Sequence, residues 1–215
     1  IVDELHQAGF GIVMAARNTE KLSTLAERLD IQDAAIIPTD LSDLKSIQNL
    51  YTELRKLPDP IQTIVITAGG WMANRVDDDI FDLQAGLAAM FECDFTGPAL
   101  AIFAGAEYLQ EHGGRLINIS SHAATKQLPG NLAYGPSKAA IRQFVLSLDT
   151  ETESHVDLTD IQPAVVNTDS MTEQLGKEAD KAIQPHAIGK LVVSLANLDA
   201  STKVREIALD AEYRF

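Results

Sequence analysis

The chain of 215 residues has one cysteine, Cys93, one tryptophan, Trp71, and only 17 basic residues against 31 acidic ones. Each scarcity excludes something. A lone cysteine cannot close an internal disulfide, so packing alone must hold the core, and such usage fits a reducing cytoplasm. The formal net charge of -14 is spread along the chain, which argues against a nucleic-acid or anionic-membrane surface. No unbroken apolar run approaches the ~18 residues needed to span a bilayer. The first ten residues lack the basic start and continuous apolar stretch of a signal peptide. No second histidine or cysteine stands at metal-ligand spacing from His122, so no metal site is expected.

What is present alternates regularly. With 46% hydrophobic residues, the chain suffices for one domain with a sizeable core. Apolar periodicity predicts a helix over Ile1–Gln7, a strand over Gly11–Ala16, a helix over Thr19–Leu29 and a strand over Ala35–Pro38. A helix over Ser42–Leu57, capped by Ser42 and stopped by Pro58, precedes the β-branched strand Ile61–Thr67. Helical sequence then runs from Ile80 to Glu111; Asp77, Asp78 and Asp79 complement the dipole at its start rather than hold a metal, and Cys93 is a packed residue within it. A buried strand ends just before Ser121, and a helix covers Tyr134 to Leu148. A strand over Val156–Ile161, a helix over His186–Leu198 and a strand over Lys203–Leu209 complete the series. Such alternation predicts right-handed crossovers and a Rossmann-like, doubly wound parallel α/β sheet with helices on both faces, as a single domain over residues 1–215.

The chemistry concentrates at Tyr134 and Lys138. Their spacing of four sets both on one helical face. A phenol ionises near pH ~10, so it serves as an acid or base near neutrality only if a fixed positive charge favours its phenolate. Lys138 is that charge. Ser121 lies just past the C-terminal end of a buried strand, the edge where open parallel sheets bind ligands, and its hydroxyl can donate to a carbonyl oxygen. Ser120 is the alternative serine.

Ser121, Tyr134 and Lys138 together resemble the catalytic triad of the short-chain dehydrogenase/reductase family. The resemblance implies hydride transfer between a nicotinamide dinucleotide and a small-molecule carbonyl or alcohol. Tyr134 would handle the proton, Lys138 would lower its pKa and bind the nicotinamide ribose, and Ser121 would steady the substrate oxygen. It further implies cofactor contacts at Asp40 and Leu41 near the adenine, Ala68 and Gly69 where the backbone approaches closely, and Pro163, Val166 and Thr168 at the carboxamide. Where relatives that prefer NAD often have an acid, the chain has Ala16 followed by Arg17, whose guanidinium matches a 2′-phosphate, so NADP is expected ahead of NAD. Asp94 replaces the asparagine of many relatives and would alter the proton relay. The segment Asp169 to Gln184 matches the family's mobile lid, and Trp71 and His122 lie near the expected mouth. The family's first strand and Gly-rich phosphate loop have no counterpart in the sequence, so a further segment of roughly 20 residues is expected to fill the middle of the sheet. Helices around Phe81–Leu109 and Tyr134–Leu148 correspond to a family interface, implying a homodimer or homotetramer. A catalytically inactive dinucleotide-binding regulator or scaffold of the same fold is the alternative.

Overall fold

The structure, a computed structural model, describes residues 1–169, 171 and 175–213. Six strands are described: β1 (Val13–Ala16), β2 (Ala35–Pro38), β3 (Thr63–Ile66), β4 (Gly114–Ile119), β5 (Val156–Pro163) and β6 (Glu206–Leu209). The helices are α1 (Val2–Gln7), α2 (Thr19–Arg28), α3 (Leu44–Leu54), α4 (Ile80–Phe91), α5 (Gly97–His112), α6 (Tyr134–Asp149) and α7 (Pro185–Ala196). Every ladder is parallel, which requires a crossover between successive strands and brings all their C-terminal ends to one edge.

Side-chain alternation sorts the helices onto two faces. Leu116 and Leu158 point to the layer that holds Ile47 and Leu50 of α3, Ile102 of α5 and Ile141 of α6. Ile117 and Ile161 point the other way, to Ile188, Val192 and Leu195 of α7 and to Ile1 and Leu5 at the start of the chain. Both faces of β4 and β5 are thus covered, as the near-continuous apolar sequence of such strands requires. β1 and β2 pair with each other, and β3-β4-β5-β6 form a second ladder, so β1 and β3 each have one edge paired with no described strand.

Two details depart from the sequence reading. Ser42 does not cap α3: Asp43 does, its carboxylate accepting from Lys45 N at 2.9 Å, because Ser42 is drawn into a turn with Asp40. The long apolar helix is not uniform either. Residues Glu92–Thr96 form a π-helical turn between α4 and α5, which rotates Asp94 inward and leaves Cys93 exposed rather than packed. Asp79 caps the start of α4 by accepting from Phe81 N at 2.8 Å, the structural role expected of the aspartate run.

The joined run Ile80–His112 spans 33 residues and its most apolar window reaches a mean hydropathy of 1.3, enough by length and composition to cross a membrane. This amends the reading that no segment approaches that length. Here the run packs on α3, β3 and β4 and carries a fully buried aspartate, which is the character of a core helix.

Gly97 lets the run enter the core. A Cβ there would stand 2.6 Å from the carbonyl oxygen of Leu41, a backbone atom that cannot swing away. Gly97→Ala is expected to cost about 1–3 kcal/mol by overpacking, read as a lower urea midpoint at unchanged slope. Gly11→Ala, with nothing within 4 Å of its Cβ, should stay within ~0.5 kcal/mol of the parent.

Candidate active site

The loops after β3 and β4 and the start of α6 bring the predicted catalytic residues together. Ser121 follows β4 and caps the short 3-10 turn His122–Ala124, its Oγ accepting from Ala123 N at 3.1 Å. Tyr134 is the first residue of α6, and Lys138 lies one turn further on with its Nζ 5.6 Å from the centroid of the tyrosine ring. The Ser121 hydroxyl lies close enough to the phenol to draw its pKa down. Ser120 faces away from the phenol and donates from Oγ to Asp160 Oδ2 at 2.7 Å, within a buried cluster that also holds Asn118, whose amide donates to Asp160 Oδ1 at 2.7 Å.

Asp94 is the centre of the arrangement. Its side chain is 0% exposed, and its Oδ1 lies 3.3 Å from Lys138 Nζ. Gly70 N donates to the same oxygen at 2.7 Å, and Ser137 Oγ, which also donates to the Tyr134 carbonyl at 2.8 Å, lies 3.2 Å from Oδ2. Gly69 is required beside this pair, because a Cβ on it would meet Lys138 Nζ at 2.5 Å and Asp94 Oδ1 at 2.7 Å.

The electrostatics reverse one expectation. Burial pushes the Tyr134 phenol above its ordinary pKa; the Ser121 hydroxyl draws it down, and the Asp94 charge raises it again. Burial of the ring is the largest of these effects, and the Asp94 carboxylate, paired with the Lys138 ammonium, adds to it.

The remaining predicted residues line the same edge. Arg17 is exposed just past β1, near enough to Asp40 beyond β2 to help lower its carboxyl, whose pKa falls chiefly through hydrogen bonds from the backbone and hydroxyl of Ser42. Leu41 sits against the start of α5. Ala68 is half-buried and Gly69 exposed just past β3. Pro163 ends β5; Val166 bridges to Ile183, and Thr168 N donates to the Val166 carbonyl at 2.9 Å. Within the expected lid, Leu175 is buried, the turn Gly176–Lys181 is exposed along most of its length, and residues 170 and 172–174 lie outside the described residues. His122 is buried beside Asp210 at 3.6 Å, and burial lowers its pKa, so it is a packing residue rather than a mouth residue. Trp71 is exposed and donates from Nε1 to Asn131 Oδ1 at 3.0 Å, fastening the loop after β3 to the segment before Tyr134. Among the described residues no group of three or more histidine, cysteine, aspartate or glutamate side chains could hold a metal.

Sequence reasoning missed Gly70 and Ser137, which hold Asp94. The signal was available only in part. Ser137 sits three residues past Tyr134, one turn along the same helix, but its partner depends on the π turn.

This donor set fits a nicotinamide dinucleotide: a guanidinium and a carboxylate at adjacent strand ends, small residues after β3, and a tyrosine with a lysine opposite them. Comparison with known proteins agrees. The short chain dehydrogenase family profile matches residues 1–179, and the chain belongs to that family of oxidoreductases. It is 24% identical over 207 residues to an uncharacterized oxidoreductase of Staphylococcus aureus strain MW2, covering 95% of this chain and 88% of that one. A Staphylococcus epidermidis uncharacterized oxidoreductase is 25% identical over 97% of this chain and 90% of its own length. Among solved structures, an alcohol dehydrogenase from the archaeon Thermococcus sibiricus complexed with 5-hydroxy-NADP superimposes with a TM-score of 0.84 at 21% identity, covering 97% of this chain and 88% of that chain. The closed form of serine dehydrogenase complexed with NADP+ gives 0.80 at 22% identity, covering 97% and 89%.

The buried pair predicts a large, recoverable stability effect. Lys138→Met leaves Asp94 buried without its counter-ion and is expected to cost about 3–5 kcal/mol. Adding Asp94→Asn should return most of that loss in urea unfolding, since a neutral amide needs no partner charge.

Proposed function

We propose that the protein is an NADP(H)-dependent oxidoreductase that interconverts a carbonyl and an alcohol on a small molecule, with Ser121, Tyr134 and Lys138 as its working residues. The observation that carries this reading is the convergence of a serine hydroxyl, a phenol and a buried lysine at the C-terminal edge of a parallel sheet. When bound, the dinucleotide supplies or accepts hydride; the chain does the rest. Ser121 donates to the substrate oxygen and orients the carbonyl. Tyr134 holds the proton that this oxygen gains or loses. Lys138 is positioned to bind the nicotinamide ribose, with Asp94 holding it in place.

Arg17 supports NADP over NAD, since a guanidinium pairs well with a 2′-phosphate, and two of the structural neighbours carry NADP-type ligands. The unpaired edges of β1 and β3 support a further parallel strand between them, whose following turn would cradle the pyrophosphate. An apolar depression on the α5 and α6 surface, lined by Phe103, Phe144 and Leu148, supports association into a homodimer or homotetramer. Cys93 as a lone thiol suits a cytoplasmic setting.

Titration of Trp71 fluorescence with NADPH and with NADH tests the reading. Saturable binding is expected for both, tighter for NADPH, and Arg17→Ala should weaken NADPH by about tenfold or more while sparing NADH. Tyr134→Phe should bind NADPH as the parent does and lose carbonyl reduction. Binding without turnover in the parent would favour the scaffold role, and binding of neither dinucleotide would sink the oxidoreductase reading.

A further inference from the structure

A second carboxylate, buried between the sheet and α6, joins the elements that carry the working residues, an inference that rests on the oxidoreductase reading above. Strand alternation sets Asn118 of β4, Ser120 just past it, and Asp160 and Gln162 of β5 on the face of Leu116 and Leu158, toward α6. All four are buried, and Asp160 is 0% exposed. Its Oδ1 accepts from Asn118 Nδ2 and its Oδ2 from Ser120 Oγ, both at 2.7 Å. Burial raises the Asp160 carboxyl, and Ser120, Asn118, Gln162 and the Arg142 charge draw it down.

The polar set continues to the helix. Gln162 donates from Nε2 to Glu206 Oε1 of β6 at 2.7 Å, and Arg142 donates from Nε to the same oxygen at 2.6 Å. Arg142 is four residues past Lys138, on the same face of α6. Thr125 Oγ1, in the segment after Ser121, lies 3.5 Å from Gln162 Oε1. Packing alone does not call for such a set. Asparagine and aspartate are poor strand formers, and desolvating a carboxylate is unfavourable, so apolar side chains would serve this layer as they do at the register partners Leu116 and Leu158. What a satisfied polar network gives instead is a single arrangement of its members.

We propose that Asp160 is a positioning residue of the reaction: through Ser120 it fixes the end of β4, and with it the Ser121 hydroxyl, and through Gln162, Glu206 and Arg142 it locks that strand end to the helix bearing Tyr134 and Lys138. Ser121 and Tyr134 must reach one substrate oxygen from different elements, each within about 2.6–3.2 Å. An error of about 1 Å between them costs about 100-fold in rate. Asp94 ties α6 to the loop after β3, whereas the Asp160 set ties it to the end of β4. The two ties hold different members of the site.

The test asks whether a change on α6 is felt at Ser121. In the full chain without dinucleotide, Arg142→Met removes the far end of the set. Amide hydrogen exchange in the segment 121–126, where Ala123 N donates to Ser121 Oγ and Lys126 N to the His122 carbonyl, should quicken by about threefold or more. Ser120→Ala should do the same, and the double variant should exceed either single by no more than about twofold, because both break one unit. With NADPH and phenanthrenequinone as the carbonyl probe, Ser120→Ala should lower kcat by about tenfold, with KM and NADPH affinity within about twofold of the parent. Ser120→Thr, which keeps the hydroxyl, should recover most of that loss. Exchange unmoved by Arg142→Met, effects of the two variants that multiply in the double, or a Ser120→Ala enzyme with the parent's kcat would each overturn the proposal. Should Arg142→Met fail to fold, Arg142→Lys, which keeps the charge and loses the guanidinium contact, is read in its place. Exchange needs neither dinucleotide nor probe, so it decides the proposal even where the oxidoreductase reading fails, and a parent that turns over NADPH without this coupling sinks the proposal alone.

Discussion

The contact between the Asp94 carboxylate and the Lys138 ammonium organises the candidate site. It joins two helices that meet over the sheet, and each of its partners brings a different piece of the site with it. Gly70 N carries the loop after β3, Ser137 the first turn of α6, and Lys138 the ring of Tyr134. A buried charge pair contributes little net stability, because desolvation offsets most of the attraction. Its value is in specificity of arrangement. A carboxylate held by the Gly70 N–H and the Lys138 ammonium allows few alternatives, so the phenol, the lysine and the glycine loop are held in one relation to each other.

That contact depends in turn on the sheet. Parallel pairing puts the end of β3, the end of β4 and the segment after β5 at one edge, and packing of α5 and α6 on the same face brings Asp94 to Lys138. Gly97 permits α5 to begin hard against Leu41, and the π turn just before it sets the rotation of Asp94. A uniform α-helix through this stretch would advance about 100° per residue and aim Asp94 elsewhere. The run thus combines an apolar packing surface with one buried acid, Asp94, at the site.

What the sequence made legible was local. Tyr134 and Lys138 are four apart on one helix, so periodicity paired them, while Ser121 was preferred to Ser120 for its family-like spacing to Tyr134. The order of strands and helices was legible for the same reason, to within a residue or two at most ends. What escaped was set by contacts between distant segments. The capping of α3 passed from Ser42 to Asp43 because Asp40 captured Ser42, and the π turn lies immediately before Gly97, where α5 meets Leu41. Nor could spacing reveal that the Lys138 charge is already taken, since its partner Asp94 lies on a different helix, with a strand and a long loop between them.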